Sequence, residues 1–259
     1  MEKWLSLWSI GQEATLQDFE KIKAAGFVGV EIWAEHLRAD EYLQYAKKSG
    51  LDIGIHLPFH DLNLATPDET VSERMITVNR EWLKKLADVG GKHAVIHGGQ
   101  SWSSEEKEES LKRVRERLTV INEVAEAHQI ELLLENLIPD KLNYCHIIAS
   151  NVEEWVGLVH DTNVKACLDT GHLAVMGAPL KETIEALNTS LGSVHYSDND
   201  HRSDLHLIPG EGEQVAKGLI DFLEAANYQG PIVYELNPYK YSLDDILAHE
   251  NVKLAFTRG

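Results

Sequence analysis

Short apolar runs alternate with longer amphipathic segments along the whole chain, and most of the apolar runs stop at an ionisable side chain. Trp4 to Trp8 predicts a first strand, and Thr15 to Ala25 a helix closed by Gly26. Further strands are predicted over Phe27 to Trp33, Leu51 to Leu57, Lys92 to His97, Ile130 to Asn136, Val164 to Asp169, Leu191 to Ser197 and Pro231 to Leu236. The helical period of 3.6 marks Ala39 to Ser49, Thr70 to Val89, Ser104 to His128, Val152 to Val159, Leu180 to Leu187, Gln214 to Ala226 and Leu243 to Phe256. In the long charged segment Ser104 to His128, the positions Leu111, Val114, Leu118, Ile121 and Val124 form one buried stripe.

Eight strand–helix units in about 255 residues, with strands apolar on both faces, predict an α/β fold of the (β/α)8 TIM-barrel type. No linker or compositional break interrupts the series, so residues 1–259 are read as a single domain. Charge narrows the partners. Acidic residues outnumber basic ones 42 to 24, a formal net charge of −18, which repels phosphate backbones and anionic membrane surfaces. Nucleic acid is therefore not the expected partner. Cys145 and Cys167 are the only cysteines and have no paired spacing, so both are expected to be buried thiols in a reducing compartment. Met1 to Gly11 lacks a basic region followed by a long apolar run, and no window holds 18 apolar residues. A cytoplasmic protein with no membrane partner is the expectation.

The strand ends carry the candidate chemistry. In such barrels the active site forms at the carboxyl ends of the strands, and the residues there are Glu31, His56, His97, Glu135, Asp169, His195 and Glu235. A single buried His or Glu is usually a hydrogen-bonded core residue. A ring of them converging on one axis is tolerable only around cations, because each is costly to bury unpaired. His172 follows Asp169 by three residues, and Asp204 and His206 stand one residue apart before the turn Pro209-Gly210-Glu211-Gly212. Alone, the Asp204–His206 pair would read as a solvated loop. Mixed imidazole and carboxylate donors with no thiolate at a strand end suit Zn, Mn, Co or Fe better than Ca or Mg.

Five motifs together resemble the xylose isomerase-like barrels, a superfamily of sugar and sugar phosphate isomerases and epimerases that also includes endonuclease IV. They are LLLEN (Leu132 to Asn136), CLDTGHL (Cys167 to Leu173), VHYSDND (Val194 to Asp200), DLHLIPGEG (Asp204 to Gly212) and VYEL (Val233 to Leu236). The resemblance covers nearly the whole chain and is specific to the superfamily, not to one substrate. It implies one divalent metal ion, Zn or Mn with Co or Fe as options, held by Glu135, Asp169, His195 and Glu235. It also implies that His172 contacts a substrate oxygen, with His97 and Arg202 as further contacts. The endonuclease branch implies a larger set around three zinc ions, adding His56, His97, His172, Asp204 and His206. Departures from that branch are Gly171 where Cys is usual, Ser197-Asp198-Asn199-Asp200 after His195 and its neighbour, and Leu205 where Arg is usual. The Pro209 to Gly212 turn and the Asp198 to Asp200 run look like the isomerase branch.

The expected function is a metal-dependent isomerase or epimerase of a sugar or sugar-like polyol, working by proton abstraction next to a carbonyl through a metal-stabilised enediolate. Glu135 and Glu235 are the expected proton-transferring groups, one on either face of the substrate. Trp8, Trp33, Phe59 and Trp102 are expected as apolar walls. A dehydratase is a variant of the same chemistry. The alternative is an endonuclease IV-like multinuclear zinc phosphodiesterase acting on abasic sites, which the ligand set permits and the charge disfavours. A barrel that only binds a sugar or a metal is a third class. No GxxxxGK phosphate cradle is present, which favours a non-phosphorylated small-molecule substrate. Association into a homo-oligomer is left open.

Overall fold

Strand pairing closes on itself. In the computed structural model, which describes residues 1–253, eight strands form a parallel barrel. They are β1 (Glu2–Ser6), β2 (Gly29–Trp33), β3 (Asp52–His56), β4 (His93–Ile96), β6 (Glu131–Glu135), β8 (Lys165–Asp169), β9 (Leu191–Tyr196) and β10 (Pro231–Tyr234). The order around the barrel is β1-β10-β9-β8-β6-β4-β3-β2. The remaining two strands, β5 (Gln100–Trp102) and β7 (Cys145–Ile147), pair antiparallel as a small ribbon above the carboxyl ends. Helices follow the strands and pack outside, so the fold is the expected (β/α)8 barrel. No helix among the described residues is long and apolar enough to cross a membrane.

Alternate residues of each strand face the axis, and the register aligns them in layers: Trp4 lies beside Gly29 and Val233, and Asp169 beside His195. Two residues before each polar strand end stands an axial neighbour that is apolar or small. These are Trp4 below Ser6, Gly54 below His56, Val95 below His97, Leu133 below Glu135, Cys167 below Asp169 and Val233 below Glu235. Trp4, Val95, Leu133, Cys167 and Val233 are completely buried and stop the lower end of the barrel. The larger apolar core lies between barrel and helices, where Leu5, Phe19, Ile32, Ile55, Leu118, Trp155 and Leu168 pack together.

Four differences from the predicted elements have local causes. The first strand ends at Ser6, because Leu7–Ile10 turns into a 3-10 helix closed by Gly11 at φ 67°. The helix predicted from Gln214 begins only at Leu219, since Gly218 sits at φ 83° and the backbone of Gln214 and Val215 is drawn to Asp198. A short helix, Thr170–Met176, is capped by the Asp169 carboxylate, which accepts from the backbone N–H of His172 at 2.6 Å. The last predicted helix is present as Leu243–Ala248 and Glu250–Lys253, and residues 254–256 lie outside the described residues. Cys167 is buried as expected, whereas Cys145 is only half-buried; both are free thiols.

Candidate active site

The ring of strand ends assembles at the upper end of the barrel. Glu135, Asp169, His195 and Glu235 bring one donor atom each to within 4.8 Å of one another. His195 Nδ1 lies 3.2 Å from Glu235 Oε2 and 3.6 Å from Glu135 Oε1. On the other side of Glu135, His56 Nε2 and His97 Nε2 each stand 3.1 Å from its Oε2. A third group follows around the rim, with His172 Nε2 and His206 Nε2 at 3.2 Å and 2.9 Å from Asp204 Oδ2. All nine donors of the larger set are thus gathered in three clusters, with Glu135 shared between two.

The far sides of the rings are anchored. His56 Nδ1–H donates to the Leu57 carbonyl at 3.0 Å, His172 Nδ1–H to Asn136 O at 2.8 Å and His206 Nδ1–H to Glu235 O at 3.1 Å. His195 uses its Nε2–H instead, donating to Glu31 Oε1 at 2.9 Å. In each case one nitrogen is tied down and the other is turned toward the cluster, the arrangement that metal-binding histidines adopt. Two buried atoms inside the first cluster, Asp169 Oδ2 and His195 Nδ1, have no hydrogen-bond partner. Unpaired buried acceptors are costly, and a cation between them would satisfy both. These residues therefore fit a divalent metal ion.

Electrostatics agrees with that fit. Burial pushes the Asp169 carboxyl above its usual range, and the negative charges of Glu135 and Asp204 add to the push against His172. Burial would also raise Glu135 and Glu235, but the charge of His195 outweighs it in both, with His97 adding for Glu135, and holds them below the usual carboxylate range. Both are ionised at neutral pH and able to accept a proton.

A cavity of about 280 Å³ opens above the clusters. Trp8, Trp33, Phe59 and His60 form its wall, with the Trp33 and Phe59 rings stacked at 6.3 Å and 29°. Among the described residues no lysine or arginine lines it. His97 and His172, expected as substrate contacts, line this cavity with Trp8 and Trp33. Arg202 and Trp102 do not. Arg202 is exposed on the loop after β9, where its backbone carbonyl accepts from Lys141 Nζ, and Trp102 is exposed on the β5–β7 ribbon. Resemblance suggested Arg202 and nearness to a strand end suggested Trp102, but loop paths decide where such side chains point. Ser6, Asn136 and His93 were not expected in the site. Ser6 Oγ donates to Glu235 Oε1 at 3.4 Å, and Asn136 holds the Asp169 backbone through both its amide atoms. For His93 a signal existed: it lies two positions below Val95 on the face that carries His97.

The loop carrying Asp204 and His206 is closed at its base. Asp198 and Leu207 exchange backbone hydrogen bonds at 2.8 Å each. The Asp198 carboxylate then accepts from Asn199 N and Val215 N at Oδ1, and from Gly210 N, Gly212 N and Gln214 N at Oδ2. Gly212 is required there, since a Cβ would lie 2.5 Å from the Asn199 carbonyl oxygen.

Comparison with known proteins follows from this geometry. The family model described as a xylose isomerase-like TIM barrel matches residues 19–253. A D-psicose 3-epimerase of Enterocloster bolteae is 26% identical over 234 residues, covering 83% of this chain and 74% of the epimerase. A probable endonuclease 4 of Mycobacterium ulcerans is 24% identical over 196 residues, 73% of this chain and 74% of the relative. The crystal structure of a D-tagatose 3-epimerase-like protein superposes with a TM-score of 0.79 at 25% identity, covering 91% of both chains.

Proposed function

This chain belongs to the xylose isomerase-like TIM barrel family, and on that premise we propose that it is an isomerase or epimerase of a non-phosphorylated sugar or sugar-like polyol. The observation that carries the reading is the pair Glu135, buried, and Glu235, half-buried, two carboxylates converging beneath a cavity with an aromatic wall and no lysine or arginine among its described lining residues. A phosphorylated substrate would place two negative charges in an acidic cavity with no lysine or arginine among its described lining residues to receive them. The aromatic wall suits the apolar face of a sugar ring.

Glu135, Asp169, His195 and Glu235 would hold a divalent ion, Zn or Mn from the donor chemistry, with Co or Fe also compatible. Such an ion supplies Lewis acidity to adjacent carbonyl and hydroxyl oxygens. One glutamate takes the proton from the carbon next to the carbonyl, and the other returns a proton from its own side. With His195 neutral as a ligand, the charge of the ion would keep both glutamates ionised for this task. His172, fixed through Nδ1 on Asn136, presents Nε2 to a substrate oxygen. Trp8, Trp33 and Phe59 exclude water from the reacting face. Ser6, donating to Glu235, limits that side chain's swing.

The second reading is a multinuclear phosphodiesterase, and the gathering of all nine donors in three clusters favours it. The endonuclease relative is consistent with it. The net charge of −18 and the absence of a lysine or arginine among the described residues of the cavity weigh against a DNA backbone. One experiment separates the two. The protein loaded with Mn or Zn is incubated with a panel of free ketoses in deuterated water, and in parallel with abasic duplex DNA. Deuterium at the carbon beside the carbonyl, abolished in Glu135→Gln and Glu235→Gln, is expected. Strand cleavage without any deuterium incorporation would overturn the proposal.

A further inference from the structure

We infer that Glu31 is a positioning residue for the metal centre: it fixes the His195 ring so that Nδ1, not Nε2, faces Glu135, Asp169 and Glu235. The inference rests on the metal reading of that cluster. Glu31 lies on β2 and His195 on β9, 164 residues apart in the chain and separated around the barrel by β1 and β10. The contact therefore crosses the barrel interior. Its carboxylate is completely buried and both oxygens are used, Oε1 by His195 Nε2–H and Oε2 by His93 Nε2–H, each at 2.9 Å.

His93 is held in turn. Its ring packs on Trp4 at 5.1 Å, in space that exists because residue 54 is glycine. A Cβ on Gly54 would stand 2.4 Å from His93 Nε2. The sequence Gly54, His93, Glu31, His195 is thus a row of contacts running from the plug of the barrel to the metal donors. The other tied rings of the ring set, His56, His172 and His206, rest on backbone carbonyls, whose positions the fold guarantees. Only His195 among these depends on a side chain, and a carboxylate acceptor both orients an imidazole and makes its other nitrogen a stronger donor to a metal. His195 Nδ1, the nitrogen so released, is one of the two buried cluster atoms without a hydrogen-bond partner.

Two measurements test this. In the wild-type chain loaded with Zn and labelled with nitrogen-15 in histidine, long-range proton–nitrogen correlation reports which ring nitrogen carries the proton, and His195→Gln identifies the resonance. The expected result is a proton on Nε2 and a metal-shifted Nδ1; the reverse tautomer overturns the inference without needing any Glu31 variant to fold. In the second, Zn, Mn and Co affinities are measured by calorimetry for the wild type, Glu31→Gln and His93→Asn. Loss of an outer partner of this kind lowers metal affinity by about 10–100-fold, and this is expected for Glu31→Gln, with a smaller loss for His93→Asn. Unchanged affinity in a folded Glu31→Gln, with only a lower melting temperature, would make Glu31 a structural ion-pair partner and overturn its role. A wild-type chain that binds none of the three ions overturns the metal reading and this inference together.

Discussion

Replacing Asp198 by Asn isolates the charge that holds the metal-side loop shut. The carboxylate receives five backbone N–H groups, two at Oδ1 and three at Oδ2, at 2.9–3.2 Å. An asparagine of the same shape has one acceptor oxygen. Turned to keep Gly210, Gly212 and Gln214, its NH2 faces Asn199 N–H and Val215 N–H, donor against donor. Two hydrogen bonds to a charged group are lost, each worth about 1.5–3 kcal/mol, so the cost is roughly 3–6 kcal/mol. At about 2–4 °C per kcal/mol for a chain near this length, the melting temperature should fall on the order of 10 °C. Urea unfolding followed by circular dichroism gives the free energy, and limited proteolysis at Arg202 and Lys217 tells whether the loop opens before the barrel. A loss below about 1 kcal/mol, with unchanged cleavage at both sites, would show that the carboxylate charge is not what fastens this segment.

Two further outcomes are expected. After chelator treatment, Mn or Zn at about 100 times its dissociation constant should stabilise the chain by about 2.7 kcal/mol, and Asp169→Asn should remove most of that gain in a thermal shift assay; no shift with either ion would count against a metal centre. Glu154, buried under the ribbon, would be raised by burial alone, but His146, Lys107 and the Ala149 N–H hold it down at about 2. Its folded value lies below its unfolded one, so its contribution is present above about pH 4.5 and is lost as the pH falls through about 2. It amounts to something on the order of 3 kcal/mol. Wild-type urea midpoints should therefore drop more steeply than those of Glu154→Gln across that acid range, and parallel curves would refute the assignment.

Much of this molecule could be read from its residues because a barrel repeats one local rule. Alternation along each strand puts Leu133 and Glu135, or Cys167 and Asp169, on one face, and closure brings all such faces to one axis, so the ring of donors follows from period alone. The same logic does not place Asp204 and His206, which stood out only as two potential ligands one residue apart, because their position depends on a loop fastened by Asp198 to residues up to 17 positions away. The β5–β7 ribbon escaped notice for a similar reason: three residues are too few to show a period, and their partner lies 45 residues on. Gln214 to Gly218 has a helical pattern, yet captured N–H groups and a positive φ at Gly218 keep it out of the helix. Glu31 was visible as a strand end, but nothing in its spacing distinguishes a donor in the ring from the acceptor behind it.

The plug of Trp4, Val95, Leu133, Cys167 and Val233 makes the barrel a cup, not a tube. Among the described residues, the cavity that reaches Glu135 opens between the aromatic wall and the Asp204–His206 loop. Metal release, substrate exchange and the washing-in of solvent hydrogen then share a single gate. A polyol that dwells in the cavity should slow all three together, and chelators stripping metal at an unaltered rate from the occupied protein would reveal a back entrance.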